Sequence, residues 1–116
     1  MLLETETIHL EPDITVVKFT GKITLGRESQ RIEVQIDELL KQNRRKIIFD
    51  LTAVTYIDSA GLGVITLCFG KLTEAGGAFC LAGAQGLAQR LLHMTKLDSM
   101  IPNHGSLEAA VQALGN

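Results

Sequence analysis

Two short apolar runs constrain this chain more than any other feature: Lys46-Ile47-Ile48-Phe49-Asp50-Leu51 and Ala78-Phe79-Cys80-Leu81-Ala82. A strand at the surface of a sheet alternates apolar and polar residues. A nearly continuous apolar run is the pattern of a strand buried on both faces, as in sheets with parallel strands. Between the two runs, from Ser59 or Ala60 to Glu74, lie Leu62, Val64, Ile65, Leu67, Cys68, Phe69 and Leu72. They are apolar at nearly every angle of a helix, which predicts a helix that is mostly buried. Gly76-Gly77 stops it, because glycine supplies the left-handed residue after a helix C-terminus.

The rest of the chain fits around this strand–helix–strand unit. Residues 3–10 and 14–20 read as extended, with Glu11-Pro12-Asp13 as the turn between them and Gly21 ending the second. Ile32, Ile36, Leu39 and Leu40 form one apolar stripe on a helix over about 28–42, with Glu28 and Glu33 early and Lys41 late, as the helix dipole prefers. A short helix over about 86–94 is expected to turn Leu87, Leu91 and Met94 inward. Ser99-Met100-Ile101 reads as a last short strand ended by Pro102. Ser106 caps a final helix that points Leu107, Ala110, Val111 and Leu114 inward and ends at Gly115.

Strands alternating with helices after an opening hairpin predict an α/β fold. The expected form is a mixed sheet of about 4–5 strands with about 4 helices mainly covering one face. Residues 46–51 and 78–82 should be its central strands beside the hairpin. The helices from Glu28 and Ser59 should lie together on one face. Ile47, Phe49, Leu51, Leu62, Ile65, Phe69, Leu72 and Leu81 are the expected core.

Composition narrows the function classes. A chain of 116 residues is expected to form a single domain over 1–116. It is 46% hydrophobic and 21% charged, enough apolar material for a core and too little charge for disorder. A net charge of −2 excludes a strongly basic nucleic-acid binder on bulk electrostatics. No apolar run approaches the ~18 residues of a membrane span. Met1-Leu2-Leu3-Glu4-Thr5-Glu6 has neither the basic nor the apolar part of a secretory leader. Cys68 and Cys80 lie in apolar segments without metal spacing, as packing residues of a reduced, cytoplasmic protein do.

The chemistry-bearing segment is Asp58-Ser59-Ala60-Gly61-Leu62-Gly63, at the entry to the buried helix. Asp and Ser are good N-cap residues, and capping alone would account for an ordinary Asp-Ser pair. Two features exceed that need. Gly61 and Gly63 each cost about 1 kcal/mol relative to alanine inside a helix, and bare positions there let a partner's backbone approach. Ser59 places a hydroxyl at the positive end of the helix, where a phosphate would be tolerated. No lysine follows the glycines as in a phosphate-binding loop, and the glycines that flank a nucleophile elbow are missing. His9, His93 and His104 have no metal-pair spacing and suggest no triad; each reads as a surface or helix-end residue. Lys41, Arg44, Arg45 and Lys46 read as a solvated loop after a helix.

The run Val54-Thr55-Tyr56-Ile57-Asp58-Ser59-Ala60-Gly61-Leu62-Gly63-Val64-Ile65 closely resembles the signature of bacterial anti-sigma factor antagonists, the STAS-domain family. Phe19-Thr20-Gly21-Lys22-Ile23 resembles the family's second-strand motif, and Gly76-Gly77 and the stretch Leu91 to Leu97 around Met94 also match. The likeness runs over essentially the whole chain. It implies a non-enzymatic switch protein with no cofactor and no metal. In that family the serine matching Ser59 is phosphorylated by an ATP-dependent kinase that is itself the anti-sigma factor. The unmodified form binds the ATP-bound kinase and frees a sigma factor, and a metal-dependent serine phosphatase resets the switch. The partner face is expected to comprise Asp58, Ser59, Ala60, exposed parts of Gly61 and Leu62, and the Lys22–Gly26 loop with Ile23 and Thr24. Gly63 is the candidate for helix packing. No contact with nucleic acid or membrane is expected, and the chain should be a monomer or weak dimer. One position departs from the family. Many members carry Asp three residues after the glycine matching Gly21, and this chain has Thr24. A constitutive STAS interaction or scaffold subunit, with an unmodified serine, is the alternative.

Overall fold

The computed structural model describes residues 3–115. Met1 and Leu2, the head of the segment weighed above as a leader, and Asn116 lie outside them. Among the described residues the order is β1 (Glu4–Leu10), β2 (Ile14–Ile23), α1 (Arg27–Lys41), β3 (Lys46–Ile57), α2 (Ser59–Glu74), β4 (Ala78–Ala82), α3 (Gly86–Met94), β5 (Asn103–His104) and α4 (Leu107–Gly115). The five strands form one sheet in the order β1-β2-β3-β4-β5. β1 is antiparallel to β2, and the β2–β3, β3–β4 and β4–β5 pairs are parallel. The expected mixed α/β sheet is thus present, with β3 at its centre.

Both faces of β3 are covered, as its apolar run requires. On one face Ile47, Phe49 and Leu51 pack with Ile32 and Ile36 of α1, Leu62, Ile65 and Leu72 of α2, and Ala88 and Leu92 of α3. On the other, Ile48 packs with Ile14, Val16, Cys80 and Ala110 of α4, with Val111 and Leu114 alongside. Three helices therefore lie on one face and α4 on the other. Of the expected core residues only Phe69 keeps partial exposure, and it packs against the same cluster. Phe49 stacks edge-on to both Phe19 and Phe79 at centroid distances of 4.8 and 4.7 Å.

Several local expectations are corrected. Gly21 does not end β2. It sits at φ +108° at a register shift, so the strand bends there and continues to Ile23. Residues 46–51 and 54–57 are parts of one strand, because β2 keeps pairing with β3 through Ile23 and Ile57. Gly76, at φ +74°, takes the left-handed position past α2 as expected. In α3 the inward residues are Ala88 and Leu92, whereas Leu87 and Met94 are exposed. A nine-residue helix offers too few turns for periodicity to choose its buried face. Ser99-Met100-Ile101 is not a strand. A single 3₁₀ turn occupies Leu97–Ser99, and the short strand follows Pro102, whose carbonyl accepts from Leu81 N–H at 2.8 Å. Ser106 caps α4 as expected, its Oγ accepting from Ala109 N–H at 3.1 Å.

Candidate functional site

The site lies where β2 and β3 both end and α2 begins. Asp58 is the N-cap of α2 and joins three segments there. Its Oδ1 accepts from Gly61 N–H at 2.8 Å, which fills the capping role. Its Oδ2 accepts from Leu25 N–H at 3.1 Å, in the loop between β2 and α1. Its own N–H donates to the Ile23 carbonyl at 3.2 Å, and its carbonyl starts the helix by accepting from Leu62 N–H at 3.0 Å. Both carboxylate oxygens and both backbone groups are therefore committed to holding the loop against the helix terminus. Asp58 is a frame residue rather than a free acid facing a partner.

Ser59 is the first residue of α2 and is exposed, with Ala60 half-buried behind it. The opposite side of the same turn is closed. A Cβ on Gly61 would overlap the Ile23 carbonyl oxygen and crowd its carbonyl carbon at 3.0 Å. This overturns the expectation that Gly61 offers a bare surface to a partner: the close approach it permits is that of the chain's own β2. Leu62, 7% exposed, and Ile23, fully buried, likewise belong to the core rather than to an outer face. Gly63 shows the reverse. It was the candidate for packing, yet it is exposed, and a Cβ there would meet nothing within 4 Å.

Of the expected partner residues, the structure brings Lys22, Thr24, Asp58, Ser59 and Ala60 to the surface around this corner, with Thr24 and Asp58 half-buried. The loop adds Leu25, which is 79% exposed directly beyond the amide held by Asp58. A partner that covered this side chain would gain most of the benefit of its burial.

Sequence reasoning missed a second surface. α2 is not buried all round. Gly63, Leu67 and Gly70 are exposed in a row and, with Thr66 and Lys71, line a shallow groove of about 470 Å³. Their i, i+4, i+7 spacing was legible. A helix apolar at every angle hides which face is left over once one face is covered. Lys71 closes the groove and fixes α2 to α1 by ion pairs to Asp37 at 2.8 Å and Glu33 at 3.3 Å. Donating to Asp37, and less strongly to Glu33, holds the Lys71 ammonium above its ordinary value, against the opposing effect of burial.

The other polar groups are scattered. His9 bonds Thr15 at 3.2 Å, His93 pairs with Asp98 at 2.9 Å, and His104 lies in β5. Among the described residues no three His, Cys, Asp or Glu side chains are grouped to hold a metal ion. No helix among them is long and apolar enough to cross a membrane.

Known proteins resemble this chain in sequence and fold. A sequence model of the STAS domain matches residues 7–111. A Thermotoga maritima protein assigned as an anti-sigma factor antagonist is 32% identical over 76 residues, 66% of this chain and 67% of that one. The anti-sigma F factor antagonist of Paenibacillus polymyxa is 26% identical over 103 residues, covering 88% of this chain and 86% of that one. The crystal structure of an anti-sigma factor antagonist from Mycobacterium paratuberculosis superimposes with a TM-score of 0.84 at 25% identity, over 99% of this chain and 96% of that one.

Proposed function

The chain belongs to the STAS-domain family, and from that premise we propose that it is an anti-sigma factor antagonist whose binding is switched off by phosphorylation of Ser59. The observation that carries this reading is the division of labour at the α2 terminus. Asp58 and Gly61 lock the backbone against β2, while Ser59 stands exposed beside them. The partner is an anti-sigma factor that is also an ATP-dependent serine kinase. It reads the surface formed by Lys22, Thr24, Leu25, Ser59 and Ala60, and a serine phosphatase reverses the modification. The role is binding, not catalysis.

A phosphate on Ser59 adds a charge of about −1.5 to −2 at neutral pH. Within the protein it sits at a helix N-terminus, where the dipole and first-turn amides offset it. The fold therefore stays as it is. At an interface fitted to a neutral hydroxyl the same group brings desolvation cost and repulsion from carboxylates. A loss of ~3–4 kcal/mol would weaken binding by about two to three decades.

The test uses the cognate kinase with ATP. Mass spectrometry should place one phosphate on Ser59. Ser59→Ala should bind the kinase and never be released, and Ser59→Asp should bind poorly. Phosphate on another residue, or Ser59→Asp binding as tightly as the unmodified protein, removes the switch. Thr24, in place of the acid common in the family, favours a second reading: a constitutive scaffold subunit with an unmodified serine. Stable complex formation without modification of Ser59 identifies that case.

A further inference from the structure

The two edges of the sheet are unequal. β5 is two residues long and offers a partner strand almost nothing. β1 is seven residues long, Glu4–Leu10, and pairs with β2 in unbroken register from Glu4–Thr20 to Leu10–Ile14. It contains no proline, lysine or glycine and no bulge; of the devices by which edge strands refuse further pairing it carries only the charges of Glu4 and Glu6, both in its first three residues. Its outer row of amides and carbonyls is therefore available. Beside it, α1 lines a shallow groove of about 620 Å³ whose floor includes Thr5 and Val34. Val34 is 57% exposed.

We propose that this edge is the interface with a second copy of the chain, joined by antiparallel β1–β1 pairing about a two-fold axis through Thr7. Two features together place the axis. The first is the charge pattern of β1. An axis through Thr7 sets Thr7 opposite Thr7, Glu6 opposite Ile8 and Glu4 opposite Leu10 of the second copy. Centring on Glu6 would oppose Glu6 to Glu6, and centring on Thr5 would oppose Glu4 to Glu6; centring on Ile8 opposes no like charges, so the strand leaves Thr7 and Ile8 as centres. Like charges directly across a pair are destabilising, whereas Thr–Thr pairs are favourable. The second is the charge pattern of α1. Arg31 and Glu38 both line the groove, seven residues or about 10 Å apart along the helix. Antiparallel apposition of two such helices about their midpoint brings each Arg31 against the other copy's Glu38, with the two Val34 side chains between them. That midpoint falls at Val34–Gln35, and Gln35 Nε2 donates to Thr7 Oγ1 at 2.8 Å. The helix charge centre thus selects Thr7, across one hydrogen bond, from the two strand centres that charge allows. The switch residue Ser59 lies on the separate α2 terminus and takes no part in this interface.

Sedimentation equilibrium of the full chain from micromolar to millimolar concentration, with circular dichroism as the fold check, tests the pairing. The wild type should populate a dimer. Arg31→Glu and Glu38→Arg, both at exposed positions, should each weaken it by about tenfold, and the double swap should restore it to within about threefold. Thr5→Lys, a lysine on the edge strand, should abolish it. A wild-type chain that stays monomeric over the whole range overturns the proposal. So does a dimer indifferent to the single charge changes, or a double swap that fails to restore it. Capture of an unrelated extended peptide along β1 without self-association overturns it in favour of a foreign strand.

Discussion

Gly61 and Gly63 lie two residues apart in the first turns of α2 and do opposite things. Gly61 faces β2, where the Ile23 carbonyl occupies the space a Cβ would need. Gly63 faces outward with nothing within 4 Å of such an atom. The inner side of the turn is closed by Asp58, Gly61 and Leu62; the outer side, through Ser59, Gly63 and Leu67, is open. A helix turns about 100° per residue, so a step of two swings a position to nearly the opposite side. A motif rich in glycine at such a place is therefore two motifs, one for self-packing and one for the surface. Its residues cannot be assigned to a partner as a block.

The largest expected effect breaks this comparison directly. Gly61→Ala should destabilise the fold by about 3 kcal/mol, the upper part of the usual overpacking range, because the obstacle is backbone and not a yielding side chain. Urea denaturation measures it. A loss under about 0.5 kcal/mol would show that β2 gives way easily. Gly61→Arg should lose fold and binding together. It therefore cannot serve as a clean binding variant.

Next is Asp58→Ala, which removes the acceptor for Gly61 and Leu25 at once and should cost about 1–2 kcal/mol. It should also loosen the Leu25 loop, seen as faster amide exchange at Leu25. Loss of stability with unchanged exchange there would separate the cap from the loop tether. Gly63→Ala should do the reverse of Gly61→Ala and stabilise by about 0.5–1 kcal/mol, since alanine is the better helix former and the space is free. Destabilisation would place an unseen neighbour on the outer side.

The smallest effect concerns pH. Burial pushes the Cys68 thiol from an ordinary value of 9.0 up to about 12, and the Cys80 thiol up to about 11. Raised values in the folded state favour the protonated thiols. Their contribution is whole below pH 9.0 and falls as pH rises toward 11–12, because the unfolded chain ionises first. The Lys71 ammonium, held by Asp37 and Glu33, adds to the alkaline loss above its ordinary value of 10.5. Urea midpoints should be flat from pH 7 to 8.5 and decline above pH 9, less steeply in Cys68→Ala. At pH 8 both thiols should resist alkylation until the protein unfolds. Rapid alkylation of the native protein would contradict their burial.

What the chain shows in its letters follows from local and periodic rules. The continuous run at 46–51 required cover on both faces of β3, and the structure supplies α1, α2 and α3 on one and α4 on the other. Capping chemistry located the start of α2 to Ser59 or Ala60, and the helix begins at Ser59 with Asp58 as its cap. These features depend on neighbours within a turn or a strand, so the sequence by itself determined them. Tertiary structure decided the rest. Gly21 looked like a stop and is a bend, because continued pairing with β3 outweighs one glycine. Leu87 and Met94 looked inward and face out, because the position of β3 under a short helix chose Ala88 and Leu92 instead. Gly61 and Gly63 exchanged their expected roles because Ile23, thirty-eight residues before Gly61, sits on one side of the helix and solvent on the other. A glycine carries no side chain to declare which way it faces. Only the neighbour that the fold brings against it can do so.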